Sequence, residues 1–218
     1  MMMNLFSVFD PCTGNILSLN WMSIFLILLI PQPFWTSNSK MVSIIILVMN
    51  KLANEVIMHL NKKEPSIMMV SMFMMILINN FMGLIPYVFT ASAHLVFSLS
   101  FALTMWMSMM LFGWINKYNS MFTHLVPVGT PVILMPFMVV IETISNLIRP
   151  GSLAVRLSAN MIAGHLLMSL LGNNLSGNLY LMMAMMWLFI LLMVFEMAVA
   201  FIQAYVFMTL STLYSSEI

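Results

Sequence analysis

The chain has 218 residues, 62% of them hydrophobic and only 6% charged, with a mean hydropathy of +1.05. A soluble domain carries about 25% charged residues, so this composition cannot cover a water-facing surface and an integral membrane protein is expected. The formal net charge of +1 gives nucleic acid or an acidic substrate nothing to be drawn to.

MMMNLFSVFDP, at the start, lacks the basic region of a secretory signal and the arginines of a transit peptide; the expectation is insertion where the chain is made. Cys12 is the single cysteine, so no internal disulfide or cysteine-based metal cluster is available, and an inert thiol is expected. The 29 methionines exceed what gap-filling in a core requires, and a biased genetic code or base composition, as in an organelle, accounts for them better.

A membrane-spanning helix needs about 20 mostly apolar residues. Residues 16–35 supply a first span, with Trp21 and Trp35 suited to its interfaces. Residues 40–63 read differently. At about 100° per residue, Ile45, Val48, Met49, Leu52, Val56 and Leu60 fall within roughly 120° of arc. Ser43, Lys51, Asn54, Glu55 and Lys62 lie opposite, and Lys51 with Glu55 can form an i,i+4 pair. An amphipathic helix lying in the interface is expected there, with His59 solvated.

Residues 66–86 and 93–115 supply two more spans, the first closing on Asn79, Asn80, Gly83 and Pro86. Lys40, Lys51, Lys62 and Lys63 precede residue 66, and Lys117 follows the third span, whereas the N-terminal tail and residues 87–92 hold no Lys or Arg. The positive-inside rule then puts 40–64 and 116–124 on the cytoplasm-equivalent side and the N-terminus opposite.

After a connection punctuated by Pro127, Gly129 and Pro131, apolar stretches run over 132–172 and 179–213, joined by GNNLSGN. As helices they would measure roughly 60 and 50 Å against a hydrocarbon core of about 30 Å. Neither has the polar ends that protrusion needs, so each must tilt steeply or break, and Pro150 can bend the first. The expected fold is all-α and integral to the membrane, one domain over 1–218. It has about three upright spans, one interfacial amphipathic helix, and a hairpin of two long, steeply inclined helices.

That hairpin holds Glu142, Arg149, Arg156, His165 and Glu196. A charge at the bilayer centre costs at least ~2.5–3.5 kcal/mol, so the set needs partners or a water-filled cavity; a structural role, with a glutamate neutralising an arginine, is the plain alternative. Arg156 and Asn160 are i,i+4, Glu196 and Gln203 seven apart, so each pair shares a helix face. His165 lies about 180° around and ~13 Å along the axis from Arg156. Titratable His and Glu suit a proton relay; an arginine, which keeps its proton, suits a gate or a counter-ion for a carboxylate on another subunit. Arg149 falls within ~20° of Arg156, so periodicity alone does not choose between them. Arg149 could also snorkel or meet a lipid phosphate.

LAVRLSANMIAGHLL (153–167), NNFMGLIPY (79–87), IETISNLIRPGSLA (141–154) and FEMAVAFIQAYVF (195–207) together resemble subunit a of the mitochondrial F-type ATP synthases, along essentially the whole chain. The resemblance implies a stator subunit, not itself catalytic and without metal or cofactor, in the mitochondrial inner membrane. Its N-terminus would face the intermembrane space and its Lys-rich 40–64 connection the matrix. It implies that Arg156, not Arg149, is the essential arginine. It further implies two inclined helices packed on a rotating ring of c subunits, and two offset proton half-channels separated by that arginine. His165 and Glu196 match the polar pair at the half-channel from the intermembrane space; Asn160, Gln203 and Glu142 match other positions of the proton path. Partners implied are the c-ring, peripheral-stalk and other membrane-sector subunits and the lipid bilayer. A haem-bearing oxidoreductase would need paired mid-span histidines, but His59, His94 and His124 fall in the interfacial helix or near connections. A secondary proton or ion antiporter is the remaining alternative, although inverted repeats are not apparent.

Overall fold

Backbone in hydrocarbon must satisfy its own N–H and C=O groups, so the apolar runs become helices, and no strand occurs among the described residues. The computed structural model describes residues 5–12, 18–29, 31, 37, 39–86, 88–126, 129–174 and 179–216. Trp35, Tyr87, Pro127, Glu217 and residues 175–178 of the hairpin connection lie outside these, as does part of 16–35.

Two 3-10 segments come first, Leu5–Phe9 and Leu19–Leu29. The second falls within the expected first span, but its 11 residues are wound more tightly than an α-helix. Helix α1 covers Lys40–Leu60. Ser39 caps it, its Oγ accepting from the Val42 N–H at 3.4 Å. Asn61 ends it at φ 53°, its N–H donating to the Ile57 carbonyl, the left-handed turn that Asn tolerates better than most residues. Helix α2 (Glu64–Gly83) follows at once, with Pro65 in its first turn, where a missing N–H costs nothing, and Glu64 beside the positive helix end.

A 3-10 turn at Ala91–Ala93 leads into α3 (Leu95–Asn116), and a short helix α4 (Tyr118–His124) occupies what the sequence offered only as a connection. Gly129, at φ 98°, turns the chain into the 3-10 turn Val132–Leu134; a Cβ there would strain the backbone. Helices α5 (Met135–Asn174) and α6 (Leu179–Ser216) have 40 and 38 residues. The first passes through Pro150 without breaking, although Pro150 withholds one i→i−4 bond. Unbroken, both are about twice as long as a hydrocarbon layer is thick.

Helix α2 packs most extensively on α6 and α3 on α5; α5 and α6 also meet each other, and α1 lies against α2 and α6. Because lipid is as apolar as Leu, close van der Waals contact holds such helices together. Ala154, Ala200 and Ala204 are 0–1% exposed and let backbones approach. Phe73, Ile76, Leu157, Phe207 and Met208 fill the space around them. The apolar arc of α1 joins this core through Val48, Met49, Leu52, Val56 and Leu60. Lys51 and Glu55 do not pair; Tyr205 Oη donates to Glu55 Oε2 at 3.3 Å instead. Buried hydroxyls turn back onto their own helices, as Ser158 Oγ does to the Val155 carbonyl at 3.2 Å. By length and composition, α1, α2, α3, α5 and α6 are each apolar enough to cross a membrane. The protein is an all-α, multi-pass membrane protein.

Candidate functional site: a polar seam between the two long helices

On α5 the residues Leu153, Ala154, Leu157, Ser158, Met161 and Gly164 are buried, and on α6 Glu196, Ala200, Gln203, Ala204 and Phe207. Both sets follow helical spacing, so one stripe of each helix faces inward. Polar side chains lie in or beside these stripes, and the helices run antiparallel. Asn160 therefore meets Gln203, and, further along, Gly164 meets Glu196. Asn160 Nδ2 donates to Gln203 Oε1 at 3.0 Å. The Glu196 carboxylate lies over Gly164 so closely that a Cβ at that position would collide with it, coming within 2.8 Å of Oε1. A side chain at position 164 could enter only if the Glu196 carboxylate moved aside.

His165, beside Gly164, is half-buried; its Nε2 has no hydrogen-bond partner among the described residues. Phe9, from the first 3-10 segment, presents its ring edge-on to the imidazole with centroids 6.1 Å apart. The two expected partners, His165 and Glu196, thus sit at one level without a hydrogen bond between them.

Arg156 takes the opposite situation. It is exposed and makes no ion pair or hydrogen bond among the described residues. Although it shares a face with Asn160 by spacing, of the two only Asn160 hydrogen-bonds across to α6 among the described residues. Arg149 differs sharply: its Nη2 lies 3.4 Å from Glu142 Oε1, and its guanidinium sits 5.0 Å over the Tyr214 ring. Arg149 is therefore held within the chain by an acid and an aromatic face. Glu142, Thr143, Asn146 and Arg149 line a cavity of about 760 Å³ with His124 and Tyr214. Pro150 has no N–H to offer the Asn146 carbonyl, which adds an acceptor near this wall.

Sequence reasoning missed one group. Asn79 Nδ2, both amide atoms of Asn80, Thr90 Oγ1, Ser92 Oγ and His94 Nε2 are buried without a partner among the described residues. They gather where the end of α2 and residues 88–94 meet α5. Gly83 there faces Thr90 and, within 3.6 Å of where its Cβ would stand, Met161 Cε, one turn before His165. The available signal was the doubled asparagine: two adjacent amides inside an apolar span need partners or water. His94 also clusters with Trp21 and Phe89 in tilted ring contacts, with centroids 5.3 and 5.1 Å away.

Helices of this length and apolarity, with buried carboxylate, amide and imidazole groups along a seam, define a multi-pass membrane protein of ion transport. Residues 16–216 match the family described as ATP synthase A chain. Over the full length of both chains, the sequence is 57% identical to ATP synthase subunit a of Locusta migratoria. It is 53% identical to that of Drosophila melanogaster and 52% to that of Anopheles gambiae, again over both full lengths. The chain belongs to the ATP synthase A chain family.

Proposed function

We propose that this chain is the proton-path stator of an F-type ATP synthase in the mitochondrial inner membrane. It would hold two offset half-channels against a rotating ring of c subunits, conducting protons without bond chemistry of its own. The observation that carries the reading is the bare guanidinium of Arg156 on a membrane helix, with no counter-ion among the described residues. Such a charge costs at least ~2.5–3.5 kcal/mol at mid-membrane, so an acid must be supplied from outside, and a carboxylate on a passing ring subunit meets that need.

A ring carboxylate in lipid has to be neutral; beside Arg156 its ionised form is favoured and the proton leaves. The same fixed charge blocks direct passage between the half-channels. Glu196, His165, Asn160 and Gln203 form the intake side. The unpartnered atoms of Asn79, Asn80, Thr90 and Ser92 support a hydrated path there, since buried polar groups without protein partners are satisfied by water. Glu142 lies about 21 Å along α5 from Arg156 in the other direction, and the cavity it lines supports an exit path. Each proton contributes ~2.3 kcal/mol per 100 mV, so several must be summed by rotation to drive one ATP.

Lys62 and Lys117 rim a common cavity, which supports placing both connections on the matrix side, with the N-terminus in the intermembrane space and α1 lying in the matrix-side interface. Peripheral-stalk and other membrane-sector subunits complete the assembly. The test is Arg156→Ala and Arg156→Lys, with proton-driven ATP synthesis measured in inner-membrane vesicles. Both should abolish synthesis in a complex of normal composition; synthesis retained by either overturns the proposal.

A further inference from the structure

Away from the seam, α2 begins, α3 ends and α6 ends around one open cavity of about 630 Å³. Three apolar helices stop together there, so the cavity sits at the border between hydrocarbon and headgroups. Its walls are Met68, Met69, Met105, Met109 and Phe112. Met68 and Phe112 are 50% and 51% exposed, so the apolar side is open laterally to the bilayer. Methionine walls adapt to an irregular, flexible occupant.

The rim is polar and of one predominant sign. The left-handed turn at Asn61 brings Lys62 to it from one side, Lys117 comes from the end of α3, and His59 adds a ring nitrogen. Glu64 is the one acid among the described lining residues, leaving an excess of positive charge among them. We propose that this cavity binds an anionic diacyl phospholipid, its phosphate against Lys62 and Lys117 and one acyl chain laid along Met68, Met105 and Phe112. A soluble anion would make no use of the open methionine wall, and a zwitterionic lipid brings a cation toward two lysines. Basic pockets at the ends of membrane helices recognise anionic headgroups by this pairing of charge and hydrocarbon. The site is independent of Arg156 and of the proton path.

The test uses the intact detergent-solubilised complex containing this chain, with phosphatidylglycerol carrying a photoreactive acyl chain, and phosphatidylcholine with the same chain. Cross-links mapped by mass spectrometry should fall on Met68, Met105 or Phe112, with phosphatidylglycerol favoured about five-fold or more. Raised salt should erode the preference, and inorganic phosphate at equal ionic strength should displace no more lipid than chloride does. Lys62→Gln with Lys117→Gln should remove the preference, whereas Arg at both positions should keep it. Equal labelling by the two lipids, a preference indifferent to salt, displacement by phosphate beyond that by chloride, or no labelling because another subunit covers the wall would each overturn the site. The salt series needs no variant, so it decides the matter even where a substituted complex assembles poorly.

Discussion

Asn160 and Gln203 are joined by a 3.0 Å hydrogen bond between residues 43 positions apart, and this amide pair ties the facing stripes of α5 and α6 together. It fixes the register of the antiparallel pair, and that register brings Glu196 over Gly164. Interhelical hydrogen bonds in membranes contribute about 0.6 kcal/mol on average and up to ~1.7. A double-mutant cycle with Asn160→Leu and Gln203→Leu, read by resistance of the assembled complex to denaturant, should give a coupling within that range. A coupling of zero would mean the register is held by packing alone.

Gly164→Ala places a methyl where the Glu196 carboxylate lies. Proton conduction through the membrane sector should fall about ten-fold or more, because a 1 Å misplacement of a proton-handling group costs on that order. Combining Gly164→Ala with Glu196→Asp, which withdraws the carboxylate by one methylene, should restore part of it. Full conduction in the single variant would show that Glu196 is free to move aside.

The pair formed by Glu142 and Arg149 separates a conducting role from a merely neutralising one. Breaking such a partly buried pair from one side takes away the acid that faces Arg149, so Glu142→Gln alone should lower both assembly and proton release. Glu142→Gln with Arg149→Gln removes that imbalance. Assembly should recover while proton release stays slow if Glu142 carries protons; recovery of both would reduce Glu142 to a counter-ion for Arg149.

Cys12, the single cysteine, is exposed and reports which way the chain is inserted. Asp10 pushes its thiol above the ordinary range, first by a side-chain hydrogen bond and then by its negative charge. The thiolate is the reactive form, so a membrane-impermeant maleimide should label it more slowly than a free cysteine at neutral pH and catch up as pH rises. Labelling should occur in mitochondria with a ruptured outer membrane and be absent from inverted vesicles. The reverse pattern would place the N-terminus in the matrix.

Hydropathy and spacing made the class of the fold legible: runs of apolar residues have to become helices in lipid, and α2, α3, α5 and α6 lie where those runs lie. The stretch around Leu19–Leu29 was legible as apolar but not as 3-10, because hydropathy carries no information on how tightly a segment winds. Arg156 and Arg149 share an angular position, so periodicity leaves them equal; what separates them is the placement of Arg149 against Glu142 and Tyr214. The seam was half legible. Helical spacing grouped Glu196 with Gln203, yet the facing of Asn160 with Gln203 depends on the offset between two helices, which neither sequence segment encodes alone. Thr90 and Ser92 were invisible for another reason: small hydroxyl residues in a connection look solvated until an α-helix from elsewhere is found covering them.

The bare guanidinium at position 156 also bears on how a newly made copy survives. Until a counter-ion arrives, the inserted chain carries a charge that lipid disfavours on an exposed surface, and no described residue pairs with it. If, as proposed, a ring carboxylate is that counter-ion, biogenesis should be ordered by supply of the ring: copies made in excess of it are the ones quality-control proteases clear first, and the pool of orphan subunit stays small.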